Sequence, residues 1–338
     1  MNTLSRRRLL KLAASTAAST SLSPLLFGGR ACAQVNLASD IGTGVDDDSL
    51  VIGMSGDFSS PRAGASIEYY RGSQAVLEEV NEQGGIHDKR LQLIALDDGG
   101  IPNRAISNTF RLLEIEQAFC LANYVGDETI ARVLPVVHTY RDASLRMVGN
   151  LSGALIQRRL PYVEQVYNVR ASTLQETAQL ANDFWDAERN NIGVFYTADA
   201  GGRVGQAGAA RTLAAKGVAI TAEATHDAAL TDQAQGVSGR VGRADDRASS
   251  QELAISALRD ETSAAVRHLR NNDCNSIICS TDSQTFQYFV AAARDIDWDV
   301  PIAGTSLSDS TPPNISGNQN LLDIKSDAEG YETQQFAK

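Results

Sequence analysis

No residues in this chain stand in a recognisable catalytic set. Asp97 and Asp98 are adjacent carboxylates at the end of an apolar run, where an acid–base pair or a cation site could be built. No further ligands stand at useful spacing around them, so they read as a strand-end turn. His87, His138, His226 and His268 are isolated, and no cysteine–histidine set has zinc spacing. There is no Gly-x-Ser-x-Gly elbow, no P-loop and no dinucleotide fingerprint opening the first helix. The expectation is a protein that is not an enzyme and holds no metal and no cofactor. Its chemistry would then be recognition, carried by polar loop residues.

Those loops need elements to position them, and residues 50–118 show which. Leu50 to Met54 is an apolar strand ending at the small-residue loop Gly56 to Pro61. A helix follows with Ile67, Tyr70, Val76, Leu77 and Val80 at helical spacing, stopped by Gly84-Gly85 as a left-handed C-cap would stop it. Leu91 to Leu96 is a second strand, ending at Asp97 to Gly100, and a second helix carries Ile106, Phe110 and Leu113 on one face. Strand–helix alternation at this period predicts an α/β fold with parallel sheets and helices on both faces. In such sheets ligands sit at the loops leaving the strand C-termini.

The pattern continues. Phe119 to Ala122 and Leu145 to Gly149 read as strands, ending at Asn123 to Thr129 and Asn150 to Ala154, with a helix through Val133, Val136 and Val137 between them. Val166 to Arg170 is extended, and Thr173 with Glu176 has capping-box spacing. A second series begins at the strand Ile192 to Tyr196, followed by Asp199 to Gly202 and an Ala-rich helix to Lys216 closed by Gly217. Val218 to Ala224 is read as a strand, 230–250 as an inserted loop, and about 251–270 as a helix. The strand Ser276 to Cys279, the helix Ser283 to Ile296 and the strand Val300 to Gly304 complete the series.

Three stretches in the right order resemble a known family. Ser59-Ser60-Pro61, then Asn81-Glu82-Gln83-Gly84-Gly85-Ile86, then Asp97-Asp98 are similar to the first half of leucine/isoleucine/valine-type solute-binding proteins of ABC importers. Only Ser60 departs, where the family usually has Gly. Tyr196-x-x-Asp199 and Trp298-Asp299-Val300-Pro301 continue the resemblance into the second half. It implies a type I periplasmic binding fold: two doubly wound parallel-sheet lobes joined by hinge crossovers. The implied layout is a signal peptide over 1–33, a leader over 34–49, lobe 1 over 50–168, lobe 2 over 169–329, and a second crossover over 330–338. Family members return to the first lobe after that crossover, so the chain is expected to lack the return segment.

The resemblance also implies the function: a receptor that closes on an amino acid or related small carboxylate and delivers it to an ABC permease. The alternative is the same fold reporting ligand state to a kinase or chemoreceptor. The matching first-lobe positions are Ser59, Tyr124, Asp127, Thr129, Asn150 and Ser152. Thr129 and Ser152 stand where the family places hydroxyls for the ligand carboxylate, at helix N-termini whose free N–H groups favour anions. Asn150 falls where a carbonyl meets the ligand ammonium. Asp127 and Glu128 would repel a carboxylate if they pointed inward. In the second lobe the family's aromatic walls become Gly201 and Thr281 and its acidic ammonium partner becomes Ser306; in the first loop Ala65 replaces another aromatic. Asp199 or Asp282 is left to supply the missing negative charge.

Bulk composition bounds the partners. The chain has 338 residues, 43% hydrophobic, which suits a large core in two lobes. Aromatics are 6% and the formal net charge is −11, so nucleic acid and anionic membrane surfaces are not expected as partners. A monomer in the periplasm is expected. Arg6-Arg7 with the weakly apolar stretch 12–27 matches a twin-arginine export signal, and Ala31-Cys32-Ala33 its cleavage site. Beyond it stand Cys120, Cys274 and Cys279, expected as free thiols, because five extended residues hold Cys274 and Cys279 roughly 16 Å apart.

Overall fold

The structure is a computed structural model that describes residues 44–60, 62–141, 144–236 and 244–308. The expected crossover at 330–338, the signal segment and most of the leader lie outside the described residues.

Residues 49–167 build one parallel sheet from β1 (Ser49–Gly56), β2 (Arg90–Asp97), β3 (Cys120–Ala122), β4 (Met147–Val148) and β5 (Val166–Tyr167), in the order β2-β1-β3-β4-β5. Its helices are α1 (Gly64–Glu82), α2 (Pro102–Glu114) and α3 (Asp127–Thr139). After the crossover come α4 (Thr173–Asp186), β6 (Ile192–Thr197), α5 (Ala200–Ala215), β7 (Ala222–His226), α6 (Ala228–Ala234), α7 (Ala244–Asn271), β8 (Ser276–Ser280), α8 (Ser283–Asp295) and β9 (Ile302–Gly304). The second sheet runs β7-β6-β8-β9, also parallel. Each sheet carries its own core. Leu112, Leu121, Ile130, Leu134 and Met147 centre the first. Phe195, Leu269, Ile277 and Phe289 centre the second on one sheet face; Leu180, Phe184, Val194 and Leu213 lie on the other. No helix among the described residues is long and apolar enough to cross a membrane.

Four local expectations are corrected. The core face of α2 is Ala105, Thr109, Leu112 and Leu113, while Phe110 is 40% exposed. Thr109 is tolerated inside because its hydroxyl bonds the Ala105 carbonyl at 2.7 Å and the Tyr124 hydroxyl at 2.9 Å. The strand expected at 218–224 starts at Ala222, because pairing with β6 begins only at Gly193. The inserted loop is largely helix: α6 is capped by Asp227, and α7 starts at Ala244. They pack through Ala234, Ala254 and Leu258, while Ala248, Ser249 and Ser250 are exposed.

The fourth correction concerns the capping box, which uses Ser172 rather than Thr173. The Gln175 N–H donates to Ser172 Oγ at 3.3 Å, and the Ser172 N–H donates to Gln175 Oε1 at 2.9 Å. Ser172 is the last residue before the helix, in extended conformation, and so it is the cap. Ser172→Ala is expected to cost about 1 kcal/mol, read as a lowered urea midpoint with unchanged slope.

Candidate functional site between the sheets

Strand order reverses between β1 and β3 in the first sheet and between β6 and β8 in the second. The loops leaving those strands form a crevice at each switch point, where α/β sheets place ligands. The two sets of loops face each other. Arg62, in the loop after β1, reaches across to Asp232 on α6 at 3.2 Å, and a Cβ placed on Gly201 would come 4.0 Å from Asp127 Oδ2.

On the first-lobe side, Gly126 turns the chain at φ 97° into α3, whose first residue is Asp127. One Asp127 oxygen accepts from Ser152 Oγ at 2.7 Å and from the Gly153 N–H at 3.0 Å. Ser152 is fully buried, and its oxygen also accepts from the Ala154 N–H at 3.1 Å. Its proton is thus committed to a carboxylate of the chain itself. The repulsion foreseen for an inward Asp127 is answered here by a hydroxyl and an N–H, the donors assigned to a ligand carboxylate. Thr129 is buried in the first turn of α3 and Glu128 points to solvent.

Tyr124 and Asn150 part company. The Tyr124 side chain lies in the first core with its hydroxyl on Thr109, and burial pushes its pKa up, so only its backbone reaches the loops. Asn150 is fully buried, and neither atom of its amide has a protein partner. Asp97 and Asp98 tie the first two loops together as turn residues. Asp97 accepts from the N–H groups of Phe58 and Gly99, both at 2.9 Å, and Asp98 from Ser55 Oγ at 2.8 Å and the Gly100 N–H at 2.9 Å. Burial raises the Asp98 pKa. It works the same way on Asp97, but the hydrogen bonds there win and hold that carboxyl below its usual range.

The second-lobe carboxylates are occupied. Asp199 caps α5 by accepting from the Gly202 N–H at 2.7 Å. Asp282 caps α8 through the N–H groups of Gln284 and Thr285 at 3.0 and 3.2 Å, and also accepts from Thr285 Oγ1 at 2.6 Å and Gln235 Nε2 at 3.0 Å. Thr281 is buried, with its carbonyl bonded to Ser308 Oγ at 2.9 Å. Ser59 is exposed on the first loop, and Gly201 opens α5 without a side chain. Ser306 belongs to the hinge: its N–H donates to Glu176 Oε2 at 3.1 Å, and its hydroxyl meets Arg170 and Glu176.

Sequence reasoning missed the centre of that group. Arg170 pairs with Glu176 at 2.9 Å, and the two side chains are only 6% and 9% exposed. Arg158 lies beside them, with Nη2 on the Arg170 carbonyl at 2.7 Å; burial, then the Arg170 charge, lowers its pKa to about 10. The available signal was Arg170 in the extended crossover with Glu176 six residues on, which capping-box spacing absorbed instead.

Behind the second-lobe loops sits His226. It is buried, with Nε2 at 3.0 Å from Thr197 Oγ1 and Nδ1 at 3.2 Å from Thr231 Oγ1. Burial lowers its pKa below the usual 6.5, against the opposing charges of Asp282, Glu261 and Asp199 and a hydrogen bond at Asp227. The unfolded chain therefore binds the extra proton first, and stability falls as pH drops from about 6.5 toward the lowered folded value. His226→Gln is expected to flatten that part of the stability–pH profile in denaturant titrations.

The profile of the family described as periplasmic binding protein matches residues 49–238. An amino acid binding protein of Pseudomonas aeruginosa is 27% identical over 96 residues, 28% of this chain and 25% of that protein. A possible leucine/isoleucine/valine-binding protein from Rhodopirellula baltica superposes with a TM-score of 0.57 at 22% identity, covering 78% of this chain and 64% of that one. A solute-binding protein from Rhodopseudomonas palustris, solved with p-hydroxybenzoic acid, gives 0.58 at 16% identity, covering 78% and 63%. The chain thus spans a quarter of the curated relative and less than two thirds of these solved neighbours. The fold is theirs, as the residue resemblance implied, and with more than half of its 338 residues inside the family match the chain belongs to the periplasmic binding protein family.

Proposed function

We propose that the chain is a solute receptor that holds a small polar solute, an amino acid or related carboxylate, between lobes 50–168 and 169–329 and presents it to an ABC permease after export through its 1–33 segment. The observation that carries this is the facing of two switch-point crevices, one from each sheet, across a gap spanned by Arg62 and Asp232. Family membership supports it, as do relatives named for amino acid binding and for a complex with p-hydroxybenzoic acid. The proposed contacts are the loops carrying Ser59, Asp127, Thr129, Asn150 and Ser152 on one side and Gly201, Thr281 and Ser306 on the other. The test is mass spectrometry of the gently purified protein before and after denaturation. A stoichiometric small molecule released only on unfolding is the expected result. A bound compound chemically altered on incubation would replace the receptor by an enzyme.

A further inference from the structure

Buried polar side-chain atoms are nearly always hydrogen-bonded in folded proteins. Among the described residues, eleven buried side-chain nitrogen or oxygen atoms have no partner, and eight of them fall between residues 150 and 173. They are both amide atoms of Asn150, Gln157 Oε1, Arg158 Nε, Asn168 Oδ1, Nε and Nη1 of Arg170, and Thr173 Oγ1. At roughly three bonds per buried water, these eight atoms would take about three waters, against the roughly one that the usual density gives a 24-residue stretch. Asn150 is 0% and Arg170 7% exposed, so neither is satisfied by bulk solvent.

The stretch is tied together by Arg158, whose Nη2 donates to the carbonyls of Ser152 at 3.4 Å and Arg170 at 2.7 Å. It comprises the loop leaving β4 and the crossover leaving β5, joined where the Thr173 N–H donates to the Gly153 carbonyl at 3.1 Å. A Cβ on Gly153 would stand 2.0 Å from Thr173 Oγ1, so the glycine keeps that hydroxyl's space open. Five of the eight atoms carry donor hydrogens, and three of those five are guanidinium nitrogens. Glu176 engages only Nη2 of Arg170. The other carboxylate nearby, Asp127, already accepts from Ser152 and Gly153.

We propose that the hinge end of the cleft is an anion subsite, in which Arg170 Nε and Nη1 and Asn150 Nδ2 take the carboxylate of the bound solute. This rests on the receptor reading above and deepens it. Asp127 fills the hydroxyl-lined position beside Ser152, and the solute's own carboxylate is directed to the guanidinium instead. No covalent step is involved.

The test uses the full chain and two probe pairs, benzoate with benzamide and L-leucine with L-leucinamide, titrated by calorimetry. The wild-type protein is expected to prefer an acid to its amide by about tenfold or more, as a charged hydrogen bond provides. Arg170→Lys keeps Glu176 paired but removes the Nε donor and the planar fork, and should cut that preference about tenfold. Asn150→Leu removes two unpartnered atoms at similar volume. It should raise the melting temperature without solute while weakening acid binding, a combination that a merely structural amide would not give. An undiminished acid preference in folded Arg170→Lys and Asn150→Leu overturns the subsite and leaves the receptor reading standing. If no member of either pair binds the wild-type chain, the subsite and the receptor reading are overturned together.

Discussion

Arg170→Leu is expected to destabilise the folded chain by about 3–5 kcal/mol, the usual effect of removing one partner from a buried ion pair. Glu176 would keep only the Ser306 N–H at 3.1 Å and the Ser306 hydroxyl, in a site that leaves its side chain 9% exposed. Its carboxylate would have to protonate or draw in water. The effect should reach the crossover and the second lobe together, since Arg170 lies in the crossover, Glu176 on α4 and Ser306 after β9. Pairing the change with Glu176→Leu should recover most of the loss, because two apolar residues carry no uncompensated charge. Urea unfolding of the single and double variants reads the difference. A single variant within 1 kcal/mol of wild type would mean that the pair is effectively solvated.

Gly208→Leu should be of similar size, about 3 kcal/mol or more, by overpacking. Helix α5 lies against α4 and β8 through glycines. A Cβ on Gly208 would stand 2.1 Å from Thr177 Oγ1 and 2.3 Å from the Leu174 carbonyl, and one on Gly205 would stand 2.2 Å from Ser280 Oγ. The neighbours of Gly208 are backbone and a short buried side chain of α4, so a Leu there must push α5 away from α4. Gly201→Ala, about two turns earlier, meets nothing closer than 3.5 Å and should be neutral or slightly stabilising through helix propensity. Thermal melts of the two variants separate a steric cause from a general intolerance of substitution in α5.

The parts of the fold legible in the sequence were those where a single physical signal acts alone. Strand–helix alternation gave β1, β2, α1, α5, β8 and α8 within a few residues, and Gly84, Gly85 and Gly217 sit at positive φ where helix stops were read. Reading failed where tertiary contacts decide between equivalent local choices. Ser172 and Thr173 can each start a capping box, and the packing of Thr173 against Gly153 selects Ser172. Thr109 is polar by type but core by position because Tyr124 bonds it.

The site divides the same way. Asp199 and Asp282 stand at strand ends as expected, and their oxygens are bound to backbone donors of the helices they begin. Ser306, expected at a ligand loop by its position, is bonded to Arg170 and Glu176. Those two residues lie 130 and more positions earlier in the chain, a separation no local pattern reveals.

The most direct test of the receptor account is amide hydrogen exchange of the full chain with and without the compound it retains on purification. The account predicts slowed exchange in both sets of facing loops at once, residues 124–129 and 150–154 on one side and 199–202 and 281–285 on the other. Protection confined to one set, or to neither while the compound remains bound, would contradict binding between the lobes.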